Sequence, residues 1–196
     1  MQTLQFLRNL LQTKNFKPEN KTNTNEKTIL KMSNDGINML KKLEGCVIKG
    51  GKHIVYDDQT GNPVNACNPL PCGATIGYGH LIKQGEDFRG GISEAQATEL
   101  LRSDIATAER AVQDNIVAPL TQNQFDALVS FVYNIGAKNF AGATVIKYIN
   151  NPNFRSSVYP NLESAWKAWK RSRGKISNGL INRRQKEWDM YKHGVC

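Results

Sequence analysis

Residues 75–80 read Thr-Ile-Gly-Tyr-Gly-His, and this stretch decides how the chain is expected to fold. It continues a short β-branched run that starts at Ala74, and its two glycines suit a tight turn or a close approach of the backbone. The surrounding residues 46–92 contain nine glycines and a second β-branched run at residues 53–56 (His-Ile-Val-Tyr). We therefore predict a small β region with turns across residues 46–92.

A helix is predicted directly before the β region. The candidates for its N-cap are Ser33, Asn34 and Asp35. Apolar residues at helical spacing follow, and Gly45 should end the helix, with Glu44 in its last turn.

Helical patterns return after the β region. Residues 93–96 (Ser-Glu-Ala-Gln) and 121–124 (Thr-Gln-Asn-Gln) form capping boxes, which mark two helix starts. The predicted helices cover residues 93–108, 121–136, 143–150, 162–169 and 179–191. The expected architecture is α+β, with a small β lobe, a larger helical lobe and a ligand-binding cleft between them.

The composition limits the choice of partners. The 196-residue chain has a formal net charge of +9, which favours a polyanion such as nucleic acid, anionic lipid or the bacterial wall. No nucleic-acid-binding motif is recognisable, so no nucleic-acid partner is expected. No stretch is long and apolar enough to span a membrane, and the first residues lack the pattern of a secretory signal.

Residues 1–31 are expected to be an N-terminal extension, and residues 32–196 a single, monomeric domain. Residues 3–12 have the pattern of a short amphipathic helix that docks on a carrier or another partner. Residues 13–31 are polar and linker-like. An ordinary extension without a binding role is the alternative.

The four cysteines are Cys46, Cys67, Cys72 and Cys196. Their spacing differs from that of zinc sites, so no metal is expected. A Cys67–Cys72 disulfide would close a small loop, and Cys46 with Cys196 would form a second bridge if the fold brings them together. Free thiols are the alternative, because the compartment is not known.

Glu44 and the pair Asp57-Asp58 are candidates for paired-carboxylate chemistry. Cleavage of a glycosidic bond uses a protonated acid at the leaving oxygen and a second carboxylate that activates water or stabilises the sugar cation. Glu44 lies at the predicted end of a helix, whose electronegative C-terminus favours the protonated form that a general acid needs. Considered alone, an acidic residue at a helix end is more often only solvated.

Three motifs in this order resemble the phage-type lysozymes of glycoside hydrolase family 24. They are Glu44-Gly45, Tyr56-Asp57-Asp58 and residues 75–80, and the resemblance continues at residues 131–136 (Phe-Val-Tyr-Asn-Ile-Gly) and 179–184 (Gly-Leu-Ile-Asn-Arg-Arg). The resemblance implies a lysozyme-like fold with its active site in the cleft. It also implies hydrolysis of the β-1,4 bond between N-acetylmuramic acid and N-acetylglucosamine in peptidoglycan, without cofactor or metal.

The resemblance assigns roles residue by residue. Glu44 matches the general acid, Asp58 the second carboxylate, and Thr75 the threonine that helps to hold the attacking water. The expected substrate-binding residues are Tyr78, His80, Asn134 and Arg183.

Some of these residues have structural alternatives. His80 is also expected as a structural histidine that bonds within its lobe. Arg183 and Arg184 are candidates for binding peptide carboxylates, and for one of them a salt bridge to Glu187 or Asp189 on the same helix is the alternative. Trp166 and Trp169 are candidates for stacking on sugars, and packing in the core is the alternative for at least one of them.

The spacing departs from the family at one place. Asp58 follows Glu44 by fourteen residues and Thr75 follows Asp58 by seventeen, and both gaps look expanded. Residues 49–52 (Lys-Gly-Gly-Lys), a predicted hairpin tip, and the loop at residues 67–72 account for the extra length. These insertions leave Asp57 as the alternative second carboxylate.

Two other functions compete with hydrolysis. A lytic transglycosylase needs one glutamate and makes an anhydro product. A non-catalytic wall-binding module needs neither the glutamate nor the residues that hold water. The presence of Glu44, Asp58 and Thr75 together favours the hydrolase.

We expect synthesis in the cytoplasm of the host bacterium and action on the cell wall from the periplasm, after holin release or as a virion or secreted component.

Overall fold

The computed structural model of the chain describes residues 29–58, 60–64, 70 and 73–194. The first helix, α1, covers Asn34–Glu44. Ser33 Oγ accepts a hydrogen bond from the Gly36 N–H at 3.1 Å, which satisfies one of the free donors at the helix start. Gly45 ends α1 with a φ of 70°. Both ends agree with the sequence prediction.

The start of α1 is fixed to the helical lobe. Asp126 Oδ1 accepts a hydrogen bond from the Ser33 N–H at 3.0 Å, and Glu109 Oε1 accepts one from the Met32 N–H at 2.8 Å. A Cβ atom at Gly36 would lie 2.7 Å from Asp126 Cγ, so only glycine allows this approach. The far end of the helix, which carries Glu44, is therefore held in place.

The β lobe consists of two small antiparallel sheets. Its strands are β1 (Ile48–Lys49), β2 (Lys52–His53), β3 (Tyr56–Asp57), β4 (Ala74–Ile76) and β5 (His80–Leu81). Strands β1 and β2 form a hairpin at the predicted tip, and β4 is the central strand between β3 and β5. Gly77 and Gly79 have φ values of 63° and 91° in the turn after β4. The Thr-Ile-Gly-Tyr-Gly-His stretch thus forms a strand, a tight turn and the start of the next strand.

The helical lobe is built around α4. Its helices are α2 (Glu94–Asp104), α3 (Ala106–Asn115), α4 (Gln122–Ile135), α5 (Ala137–Ala141), α6 (Thr144–Asn150), α7 (Leu162–Lys167) and α8 (Asn178–His193). Helix α4 packs against α1, α3, α5 and α8, and residues 125–132 are buried on every face. The predicted α+β fold and both capping boxes are confirmed.

Three expectations are corrected. The helix predicted over residues 93–108 is interrupted at Ile105, which separates α2 from α3. Ile105 is buried and its backbone angles are helical, and neither a glycine nor a proline marks the break in the sequence. The helical region also contains a hairpin, β6 (Arg171–Ser172) with β7 (Lys175–Ile176). Cys46 is an exposed free thiol, so it does not form the considered bridge to Cys196.

Several sequence predictions lie outside the described residues, among them the helix at residues 3–12 and the Cys67–Cys72 disulfide. Leu30 is described, and its carbonyl accepts a hydrogen bond from Gln113 Nε2 at 2.8 Å. Within the described ranges, no helix combines the length and the apolar character needed to cross a bilayer.

One contact between the β lobe and the helices centres on Glu94, the first residue of α2. Its carboxylate accepts hydrogen bonds from Lys41 Nζ at 2.7 Å and from the Tyr78 hydroxyl at 2.8 Å, and lies 2.7 Å from His53 Nε2. Desolvation raises the pKa of Glu94, but these three partners outweigh it and lower the pKa to about 2. The carboxylate therefore joins α1, the β lobe and α2.

A second contact centres on His80, which is 5% exposed. Its Nδ1 lies 2.9 Å from Asp104 Oδ2 at the end of α2, and its Nε2 lies 3.0 Å from Glu86 Oε2. Desolvation lowers the pKa of His80, but the hydrogen bonds to Glu86 and Asp104 raise it more, so the net pKa is raised. The charged imidazolium has an acceptor for each of its two N–H groups.

Buried charge also holds α8 in the lobe. Glu187 is fully buried, and its Oε1 accepts hydrogen bonds from Arg183 Nε at 3.0 Å and from Arg184 Nη2 at 2.8 Å. Its Oε2 accepts one from Trp166 Nε1 at 3.2 Å. The alternative of a salt bridge to Glu187 is confirmed for both arginines. Trp166 is completely buried, so it belongs to the core.

We predict that the stabilising effect of His80 depends on pH. Because its pKa is higher in the folded protein than the unfolded value of about 6.5, the contribution is complete below about pH 6.5 and is lost as the pH rises through the folded pKa. The variant His80→Gln should therefore lose more unfolding free energy at pH 5.5 than at pH 8.5, measured by urea denaturation. Asp104→Asn should show the same trend, and equal losses at both pH values would contradict this explanation.

We also predict that Glu187→Gln lowers the free energy of unfolding by about 3–5 kcal/mol, because it leaves two buried guanidinium groups without their shared carboxylate. The matched control is Glu163→Gln, which breaks a surface pair with Lys167 on α7 and should cost less than about 1 kcal/mol. Chemical denaturation followed by circular dichroism measures both. A similar small cost for the two variants would show that the buried cluster is not essential.

Candidate active site

Glu44 ends α1 at the boundary between the two lobes. Its Oε1 is buried and lies 2.8 Å from Arg183 Nη1, at an angle that gives an ion pair rather than an aligned hydrogen bond. On the other side, a Cβ atom at Gly79 would be 3.9 Å from Glu44 Oε2 and 4.0 Å from the Tyr133 hydroxyl. One carboxylate oxygen therefore contacts the helical lobe, while the other faces the turn between β4 and β5.

Arg183 is fixed by more contacts than the one to Glu44. Its side chain is 8% exposed, and besides Glu187 it donates a hydrogen bond through Nη2 to the Ser130 carbonyl at 3.3 Å. Arg183 and Arg184 are two buried cations, whereas Glu187 is a single anion. The second contact of Arg183, with Glu44, lies at the boundary between the lobes.

The opposite wall is formed by β3 and β4. Tyr56 is the antiparallel partner of Thr75 and Asp57 that of Ala74. Because side chains alternate along a strand and direct partners share a face, Tyr56 and Thr75 lie on one face and Asp57 and Ala74 on the other. Asp58 follows directly after the end of β3.

Tyr56 links this face to Glu44. Its pKa is raised first by burial and then by the charge of Asp58, with a smaller contribution from Glu44, while a hydrogen bond from the Gly79 N–H opposes the shift. Tyr133, on α4, also has a raised pKa, caused by burial and then by the charge of Glu44.

Asp57 has a different environment from Asp58. Its Oδ1 accepts a hydrogen bond from the Thr60 N–H at 3.0 Å, and its carbonyl accepts one from the Gly61 N–H at 2.7 Å. These contacts form the turn that follows β3. Asp58, in contrast, is exposed, and its backbone N–H donates a hydrogen bond to the Gly73 carbonyl at 3.4 Å.

Thr75 is 2% exposed, and its hydroxyl donates a hydrogen bond to the Gly73 carbonyl at 2.9 Å. Because the hydroxyl proton is engaged, the oxygen is left to accept a hydrogen bond. A water molecule that donates to Thr75 is therefore compatible with this arrangement.

The four residues expected to bind substrate fall into different environments. Tyr78 and His80 are buried, and both are engaged with carboxylates that attach the β lobe to α2. Asn134 is exposed, and its Oδ1 accepts a hydrogen bond from Arg184 Nη2 at 2.9 Å. Arg183 is buried against Glu44. Contact of these four residues with a substrate stays a prediction.

Sequence reasoning missed Tyr56 and Tyr133 as parts of the site. Both belong to stretches that had been recognised, the Tyr-Asp-Asp motif and residues 131–136, so the available signal was their place beside the candidate acids. The pairing of Arg183 with Glu44 was also missed, because it joins residues that are far apart in the chain.

Comparison with known proteins gives a family. The Phage lysozyme family profile matches residues 41–187. An endolysin of Bacillus phage B103 is 34% identical over 167 residues, which are 84% of this chain and 55% of that protein. The chain therefore spans about half the length of the first curated relatives that it matches.

Solved structures agree with this result. An endolysin from Escherichia coli O157:H7 phage FAHEc1 has 34% sequence identity and a TM-score of 0.65, covering 85% of this chain and 96% of that chain. The muramidase domain of SpmX from Asticaccaulis excentricus has 29% identity and a TM-score of 0.62, covering 83% and 97%. The lysozyme-like fold is confirmed, and the chain belongs to the phage lysozyme family.

Proposed function

We propose that the protein is a peptidoglycan-degrading lysozyme, a muramidase that hydrolyses the β-1,4 bond between N-acetylmuramic acid and N-acetylglucosamine. The observation that carries the proposal is the position of the Glu44 carboxylate between the lobes, with Oε1 against Arg183 and Oε2 facing the turn at Gly79. Glycoside hydrolysis requires a carboxylic acid at the scissile bond and a second carboxylate, for which Asp58 is the candidate. Membership of the phage lysozyme family supports the same chemistry.

Glu44 is the general acid of this proposal. Since Oε1 is engaged by the Arg183 guanidinium, the proton is carried on Oε2, which faces the turn at Gly79. From Oε2 the proton passes to the glycosidic oxygen as the bond to the leaving sugar breaks. Arg183 acts as a positioning residue, because it fixes the orientation of the carboxylate.

Asp58 and Thr75 handle the attacking water. The water donates one hydrogen bond to the Thr75 hydroxyl oxygen and the other to the Asp58 carboxylate, which takes up the proton as the new bond to the sugar forms. A lytic transglycosylase would not need this second pair of residues. The presence of Asp58 directly after β3 and of Thr75 on the paired strand β4 therefore favours hydrolysis.

The substrate of this proposal is bacterial peptidoglycan, and the place of action is the cell wall. We propose synthesis in the host bacterium, with release by a holin or delivery as a virion or secreted component. The family supports action on a wall, and the net charge of +9 favours attraction to this polyanionic material.

Three variants test the site with purified peptidoglycan. Glu44→Gln should lower the rate of clearing by about 10²–10⁴-fold, because the amide cannot protonate the leaving oxygen. Asp58→Asn should lower it by about the same range, since the amide cannot take up the proton from water. Asp57→Asn should be close to wild type, because an asparagine oxygen still accepts the hydrogen bond from Thr60.

Glu99→Gln is the matched control for Glu44→Gln, because it makes the same change at an exposed carboxylate on α2 that is not one of the proposed site residues. Thermal unfolding of every variant checks that it is folded. Clearing by folded Glu44→Gln would refute its role as the acid. A larger loss for Asp57→Asn than for Asp58→Asn would exchange the roles of the two aspartates.

A further inference from the structure

A second cleft lies behind the catalytic acid, between the last turn of α1 and the first turns of α8. It has a volume of about 340 Å³. Its lining residues are Lys42, Leu43, Ser177, Gly179, Leu180, Asn182, Arg183 and Lys186. Three of them are cations and none is acidic. The cleft is therefore positively charged, and it shares Arg183 with the ion pair of Glu44.

The positive charge in this cleft is not neutralised within the described part of the chain. Lys42 and Lys186 are exposed and have no ion pair or hydrogen bond with any described residue. The neighbouring Lys41, by comparison, is paired with Glu94 at 2.7 Å. Two lysine charges are therefore available to a ligand.

The region leading into the cleft is also basic. No acidic residue occurs from residue 164 to residue 186, a segment that includes the β6–β7 hairpin. The cations of this segment are Lys167, Lys170, Arg171, Arg173, Lys175, Arg183, Arg184 and Lys186. The Ser177 N–H donates to the Lys170 carbonyl at 3.0 Å, which closes the hairpin directly beside the cleft. We call the hairpin and the cleft together the basic strip.

The cleft also offers uncharged donors. Ser177 Oγ accepts a hydrogen bond from the Leu180 N–H at 3.4 Å, and its own proton has no acceptor among the described residues. The Asn182 amide lines the same space, and the positive end of the α8 dipole lies here. Lysines, a hydroxyl and an amide around a helix start form a site suited to an oxoanion.

We propose that the basic strip is a substrate subsite that binds a carboxylate of the peptide stems of peptidoglycan. This inference rests on the proposed function. The peptide stem is attached to the lactyl group of the same N-acetylmuramic acid whose glycosidic bond is cleaved. Arg183 lines the cleft and also contacts Glu44, so its side chain separates a ligand in the cleft from Glu44. The strip thus selects glycan that carries peptides.

The test compares two double variants that lose the same charge. Lys42→Gln/Lys186→Gln removes both unpaired lysines of the cleft. The control, Arg110→Gln/Lys192→Gln, removes two exposed cations on α3 and at the far end of α8. On native peptidoglycan, the cleft variant should raise the apparent KM about tenfold with little change in kcat, as expected for loss of two exposed charge contacts. The control should change KM much less.

Chemically modified walls identify the ligand. Coupling the wall carboxylates to methylamine with a carbodiimide makes them neutral, and on this substrate the wild type and the cleft variant should have the same apparent KM. Hydrofluoric acid removes phosphate polymers instead, and the difference between wild type and cleft variant should persist on that substrate.

Two results would overturn the inference that the strip binds a peptide carboxylate. Equal effects of the two double variants would mean that only net charge matters. A difference that disappears after removal of phosphate polymers, but not after amidation, would identify phosphate as the ligand. These results require an active wild type, so they are distinct from failure of the proposed function, in which the wild type itself releases no fragments from native walls.

Discussion

The active site depends on the buried carboxylate of Glu187. It neutralises part of the charge of Arg183 and Arg184, two guanidinium groups that the core could not otherwise hold. Arg183 is thereby fixed in one orientation, with its outer nitrogen against Glu44. Fold stability and the position of the proposed catalytic acid are therefore coupled through Arg183.

The β lobe is too small to be stable alone, because its strands are only two or three residues long. It depends on polar contacts with α2, in which Glu94 holds His53 and Tyr78 while Asp104 holds His80. These contacts determine where β3 and β4 face α1. The wall that carries Asp58 and Thr75 is thus positioned by residues that need not touch the substrate.

Much of the fold could be predicted where local chemistry determines it. The glycines of the turn after β4 require positive φ, and Ser33, Ser93 and Thr121 are recognisable caps. The break at Ile105 could not be predicted, because a buried apolar residue with helical angles gives no local signal. The β6–β7 hairpin is also concealed, since exposed cations occupy its strands and Arg173 adopts a φ of 48°.

The candidate site divides in the same way. Glu44, Asp58 and Thr75 could be proposed from motifs, and the turn contact of Asp57 with the Thr60 N–H then gives a physical reason to prefer Asp58. The Arg183–Glu44 pair depends on the packing of α1 and α8 against α4, which no local pattern encodes. The same packing creates the second cleft, so the basic strip becomes visible only in three dimensions.

The masses of the fragments released from purified peptidoglycan show whether two carboxylates carry out hydrolysis. Hydrolysis adds a water molecule to each product, whereas transglycosylation leaves a 1,6-anhydro ring. Hydrolysis by Glu44 and Asp58 should release fragments that end in reducing N-acetylmuramic acid. Fragments that end in anhydro-N-acetylmuramic acid, or in reducing N-acetylglucosamine, would contradict it.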